Sequence, residues 1–228
     1  MASIERDVRL LILAASAGSA DGWSYFGLGH AFVANMTGNT VLLGIAVFQD
    51  HGDLLHPAIS LGCYAAGAML GSLSTGRVQP GAVWSRAISW TLMLEALLLL
   101  AAEAGWIAVH LSIGHFPNLE LLLAVVALAI GLQSGAMVQL KIPGIVTTYI
   151  TGTWTTMLSG LVRLARHEQE IPGQEAERRL AMQGAVLCAY FLSAVLTGWL
   201  FRHLPLAVGV LPALSVLLVA LHGLIYND

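Results

Sequence analysis

The chain has 228 residues, 57% of them hydrophobic and only 10% charged, with a mean hydropathy of +0.78. Soluble domains carry about 25% charged residues, so the composition excludes a soluble globular enzyme and points to a polytopic membrane protein. A net charge of -3 with no run of Lys or Arg excludes a nucleic-acid surface, and Cys63 and Cys188, each inside apolar sequence, read as core residues rather than a disulfide or metal framework.

The first apolar stretch, 8–27, follows Arg6 and Arg9 and imitates a signal peptide. Glu5 and Asp7 offset the basic residues, and the apolar sequence continues toward Phe32, so it reads as an uncleaved first membrane helix. Five further stretches, 57–76, 85–109, 118–140, 180–201 and 205–226, approach the ~20 residues that a helix needs to cross ~30 Å of hydrocarbon. Two others, 37–49 and 152–165, are apolar but short. A helix over the first covers only about 20 Å at ~1.5 Å per residue, so both read as half-helices. The stretches ahead of them, 27–33 and 142–148, are rich in Gly and β-branched residues, with Pro143 in the second. They read as extended re-entrant chain, which membranes tolerate only against protein or a cavity.

The basic residues test this count. With the N-terminus inside, Arg6, Arg9, Arg77, Arg86, Lys141, Arg163, Arg166, Arg178 and Arg179 all fall inside, and only Arg202 falls outside. Six spans with two half-helices preserve that bias. The expectation is an all-α polytopic protein with both termini cytoplasmic and the loop at 50–56 outside.

The chain also repeats itself. Ala34-Asn35-Met36-Thr37-Gly38-Asn39-Thr40 aligns with Thr148-Tyr149-Ile150-Thr151-Gly152-Thr153-Trp154, and Gly38 and Gly152 stand half the chain length apart. Upstream, Ala17–Asp21 falls near Gly131–Gly135. Each repeat, 1–114 and 115–228, holds three full spans, an odd number, so the second lies inverted relative to the first. A 3+3 inverted repeat with broken helices is the pattern of secondary transporters that bind substrate near the midplane.

The run Ala31–Thr40, with Asp21 ahead of it and Tyr149-Ile150-Thr151-Gly152-Thr153 in the second half, resembles the YoaK-like family of small bacterial inner-membrane proteins, a domain of unknown function. The resemblance covers essentially the whole chain. It implies a multi-span protein of the bacterial inner membrane and supplies no substrate.

The candidate binding residues follow from the half-helices. A helix start presents unpaired N–H groups and about half a positive charge, so two facing starts make an anion site without Lys or Arg. Thr37 and Thr151 stand where N-caps are expected. Gly38 and Gly152 allow close approach to backbone, and Asn35, Asn39, Thr153 and Thr155 add polar contacts. Asp21, with Gln133 as its nearest counterpart, ranks as a site residue; Asp21 or Glu95 is the candidate carrier of a coupling proton, and Glu103 lies further out beside Trp106. His30 reads as a capping or interfacial residue, while His51, His56, His110 and His115 read as loop residues without metal-ligand spacing. Gly67 and Gly71, and Ser193 with Thr197, read as helix-packing seams, and Arg166–Arg179 as a charged cytoplasmic linker.

The chain shows no nucleophile–base pair, metal cluster or phosphate loop, so it is not read as an enzyme and no cofactor is expected. The expected function is a secondary transporter or facilitator of a small anionic or polar solute or ion. A channel of the same architecture and a non-transporting assembly partner are the alternatives. The expected partners are that solute and the lipid bilayer, with no nucleic acid and with a homodimer left open.

Overall fold

The structure, a computed structural model, describes residues 2–49, 52–76, 84–112, 118–140, 150–166 and 172–226. The described residues form α1 (Ala2–Gly27), α2 (Met36–Ala46), α3 (Leu55–Thr75), α4 (Arg86–His110), α5 (Leu119–Val138), α6 (Ile150–Ala165), α7 (Gly173–His203), a 3₁₀ turn at Pro205–Ala207 and α8 (Val210–Ile225). No strand occurs among them.

Five helical runs are long and apolar enough to cross a membrane: α3, α4, α5, α7 and Pro205–Ile225. The chain is a multi-pass membrane protein. The first helix has 26 residues, long enough to span, but is too polar to join those five. Its interior position accounts for this: Leu10, Leu13, Ala14, Ala17, Ala20 and Trp23 are fully buried, so it packs against protein rather than lipid. α1 lies against α7, α8 and α5, and α5 lies against α3, α4 and α1. The short helices are peripheral, α2 resting on α3 and α6 on α7.

Small residues set the closest approaches, as expected where lipid offers no hydrophobic drive for helix pairing. A Cβ on Gly67 would lie 2.2 Å from Leu128 O, and one on Gly131 would lie 2.4 Å from Tyr64 O. Between α1 and α7, Ser19 Oγ bonds Thr197 Oγ1 at 2.7 Å, and Thr197 in turn donates to Ser193 O.

Long-range contacts tie the helices together at both ends of the bundle. At one end Arg178 pairs with Asp7 at 2.6 Å, Arg9 bonds His222 at 2.9 Å, and Trp84 Nε1 donates to Ser89 Oγ beside Gly223. At the other end Trp106 Nε1 donates to Pro205 O at 2.7 Å, and Phe26 stacks on Phe201. The start of α1 and the end of α8 therefore share one end.

Two boundaries differ from the sequence reading. α7 begins at Gly173 rather than 180, so the linker expected over 166–179 is helical in its second half. Pro172 precedes this helix, and the Arg179–Glu175 pair at 3.3 Å supports its first turns. The stretch expected to run extended over 27–33 instead turns: Leu28 N closes α1 on Ser24 O, and Gly29 (φ +99) and His30 (φ 58) follow in left-handed conformations. A side chain on Gly29 would also strike the His56 ring. The second such stretch, 142–148, lies outside the described residues, as do Lys141, Arg77, His51 and His115.

Candidate functional site

The start of α2 fixes the first half of the site. Its N-cap is Asn35 (φ -86, ψ 76), whose Oδ1 accepts from Gly38 N at 3.1 Å. Thr37 is therefore not the cap; it is the second helical residue. Thr151 is likewise second in α6, so the two Thr-Gly pairs open their helices in the same register. In the first turn of α2, Met36 N and Asn39 N donate to Ala34 O and Asn35 O. Among the described residues no acceptor takes the Thr37 N–H.

The segment ahead of α2 is held by two buried side chains. Asp21, 3% exposed, accepts on Oδ1 from Val33 N at 2.7 Å and Ala34 N at 2.6 Å. Its Oδ2 accepts from Asn35 N at 3.1 Å and from the Tyr190 hydroxyl. Asn39, fully buried, accepts from Phe32 N at 2.8 Å and donates to Phe32 O and to Ser60 Oγ. An irregular segment inside a membrane bundle has no ladder partners. Here a carboxylate and a carboxamide supply them, and charged acceptors make the stronger bonds.

Between the starts of α2 and α6 lies a cavity of about 210 Å³, lined by Ala34, Asn35, Met36, Thr37, Tyr64, Ile150, Thr151, Gly152 and Tyr190. Of the residues singled out in the sequence, Asn35, Thr37, Thr151 and Gly152 reach it. Asp21 does so only through Tyr190, whose hydroxyl it receives. Gly38 and Asn39 are not among its lining residues, and Asn39 and Thr153 are buried. Gln133 is also fully buried; its Nε2 donates to Leu13 O at 3.2 Å between α5 and α1.

Two lining residues escaped the sequence reading, Tyr64 on α3 and Tyr190 on α7. The signal was present: each is a lone tyrosine inside a long apolar helix, and a buried tyrosine hydroxyl needs a partner. Glu95 and Glu103 lie away from the cavity on α4. Glu103 Oε2 accepts from Gly209 N at 3.0 Å, whereas neither oxygen of Glu95 has a hydrogen-bond partner among the described residues. His56 serves the loop end of α3, its ring 2.5 Å from Asp53, whose Oδ1 caps Leu55 N and His56 N.

The cavity thus offers a polar rim of two helix starts, two threonines, an asparagine and two tyrosines, with no Lys, Arg or His among its described lining residues. These lining groups present N–H and O–H donors rather than ionic side chains.

Known proteins agree with a membrane chain of this kind. The "UPF0700 transmembrane protein YoaK" of Bacillus subtilis (strain 168) is 30% identical over 166 residues, 70% of this chain and 69% of that protein. No solved structure matches. The sequence profile of the family described as "Protein of unknown function (DUF1275)" matches residues 9–222, and the chain belongs to that family.

Proposed function

We propose that the chain is a secondary transporter or facilitator that binds a small anionic or polar solute near the bilayer midplane, between the starts of α2 and α6. The observation that carries this reading is the cavity lined from both halves at matched positions, Met36-Thr37 against Ile150-Thr151-Gly152 and Tyr64 against Tyr190. Two helix starts with open N–H groups favour an electron-rich ligand group without a basic side chain.

The packing pattern supports a 3+3 inverted repeat as its frame. Exchanging α1–α4 with α5–α8 turns the α1–α7 pair into α5–α3, α2–α3 into α6–α7 and α4–α5 into α8–α1, while α4–α8 maps onto itself. The glycines follow the same exchange. A Cβ on Gly18 would meet Tyr190 O, as one on Gly131 would meet Tyr64 O. On this register Asp21 corresponds to Ser134 rather than to Gln133. Two crossings that approach one midplane cavity from opposite sides are what alternating access requires.

The reading takes α1 as a sixth span and puts both termini in the cytoplasm of a bacterial inner membrane. The gathering of Arg9 with His222 and of Asp7 with Arg178 at one end supports this. Reporter fusions should accordingly find the C-terminus cytoplasmic and a tag within 52–54 periplasmic. A periplasmic C-terminus would overturn the six-span frame.

Function is tested in proteoliposomes with a panel of radiolabelled inorganic anions, mono- and dicarboxylates and neutral polar solutes. One class should enter with saturation and show counterflow, which a channel does not. A Cβ at Gly38 would lie 2.8 Å from Asn35 Nδ2 and 2.9 Å from the Phe32 ring, so Gly38→Val displaces the cap at the cavity wall. Affinity should fall at least about tenfold, roughly 1.4 kcal/mol, in a protein still folded by gel filtration and circular dichroism. Gly152→Val should do the same from the other half. Folded variants of both glycines with unchanged affinity would remove the site.

A further inference from the structure

Glu95 is the most isolated charge-bearing group in the described chain. It lies within α4, a helix long and apolar enough to span, and is fully buried. Neither carboxyl oxygen has a hydrogen-bond donor among the described residues. Its neighbours along the buried face of α4, Thr91, Leu92, Ala96 and Leu99, offer it nothing: Thr91 Oγ1 is engaged with Ala87 O and Ser74 Oγ.

The helices packed on α4 were equally free to supply a partner. Its contacts with α8 run antiparallel, Glu103 meeting Gly209 and Ser89 meeting Gly223. Glu95 lies between those two levels, where α8 buries Pro212, Ala213, Val216, Val219 and Ala220. The titratable groups on the packed elements are His222 on α8, Glu120 on α5 and His56, Cys63 and Tyr64 on α3. On α4 itself they are Arg86, Glu103 and His110. None of these bonds to Glu95.

An ionised carboxylate at the centre of a membrane helix costs at least about 2.5–3.5 kcal/mol, and a buried charge without a partner neutralises instead. Asp21 presents the contrasting case, with both of its oxygens taken by donors. A fixed acid of purely structural use would be bonded to a neighbour, as Glu103 is. Among the described residues Glu95 has no hydrogen bond to lose when its proton leaves. An ionisable group kept in a membrane span at such a cost without a structural partner points to a functional role.

We propose that Glu95 is a proton-binding site within the membrane, whose proton exchanges with bulk water and is the one coupled to solute movement. The step is reversible protonation of one carboxylate oxygen, and no other bond changes. The coupling role rests on the transport reading above; proton binding does not.

Infrared difference spectroscopy of the full chain in lipid tests it, using protons alone as the probe. The carbonyl band of a protonated carboxylic acid should be present at neutral pH, vanish as pH is raised and return on reversal. That component should be absent from Glu95→Gln and retained in Glu103→Gln. Should Glu95→Gln not fold, the unaltered protein still decides through dicyclohexylcarbodiimide, an apolar reagent that adds whole to protonated acids. Mass spectrometry should find the adduct on Glu95, forming more slowly as pH rises. A band that ignores pH, a spectrum unchanged in Glu95→Gln, or an adduct rate independent of pH would each overturn the proposal. Reversible titration with no solute uptake would leave the proton site standing and count against the transport reading alone.

Discussion

Replacing Asp21 by alanine is expected to destabilise the protein by at least about 3 kcal/mol. The Val33, Ala34 and Asn35 N–H groups and the Tyr190 hydroxyl all donate to this one carboxylate. Each buried donor left without an acceptor costs about 1–3 kcal/mol. The sum is reduced because the cavity lets water reach some of them. Asp21→Asn is expected to cost less, about 1.5–3 kcal/mol. It keeps one acceptor oxygen for Val33 and Ala34 but turns an amide N–H₂ toward two groups that already donate. Thermal unfolding in lipid nanodiscs measures both. Wild-type stability in Asp21→Asn would show that the carboxylate does not hold this segment.

The second large effect is expected where α3 crosses α5. A Cβ on Gly135 would lie 2.0 Å from Ala68 O, and one on Gly71 would lie 2.2 Å from Leu132 O. These obstacles are backbone atoms, which cannot rotate aside, so each added methyl must push two spanning helices apart. Gly135→Ala and Gly71→Ala should each destabilise by about 3 kcal/mol, at the upper end of the overpacking range. Gly44→Ala and Gly62→Ala are the matched controls. Both are helical glycines with nothing within 4 Å of the added atom, and alanine there should stabilise by about 0.5–1 kcal/mol. Equal effects in the two pairs would contradict close backbone packing as the glue of the bundle.

Much of this architecture was legible in the sequence because hydropathy reads membrane helices directly. The spans expected over 57–76, 85–109 and 118–140 appear as Leu55–Thr75, Arg86–His110 and Leu119–Val138. The early start of α7 was not legible, since Gln174–Arg179 is polar and hydropathy sees only the part in lipid. Helix propensity and the Glu175–Arg179 spacing carried that signal instead.

The site was legible by half. Repetition found Thr37-Gly38 and Thr151-Gly152, because two helices opening in one register leave one pattern. It misplaced the cap, since Asn35 and Thr37 are both good cap residues and only backbone geometry separates them. Asp21 was picked out for its charge, yet charge alone does not reveal that three backbone N–H groups and a tyrosine twelve or more residues away converge on it. The cavity tyrosines were missed for a related reason. Tyr64 and Tyr190 come from α3 and α7, outside the repeated motif, and meet the half-helices only through tertiary packing.

The proposed convergence of both halves on one cavity open to water near the bilayer midplane is tested most directly by cysteine accessibility. With Cys63 and Cys188 replaced by serine, Thr37→Cys and Thr151→Cys are made singly and together, and Leu218→Cys serves as a control on the lipid-exposed face of α8. The account predicts that a small, charged, membrane-impermeant thiol reagent modifies both cavity cysteines at the bilayer centre. It also predicts that a short bifunctional reagent joins them in the double variant, while Leu218→Cys stays unmodified. Cavity cysteines that react no faster than the lipid-facing control, and that cannot be joined, would contradict it.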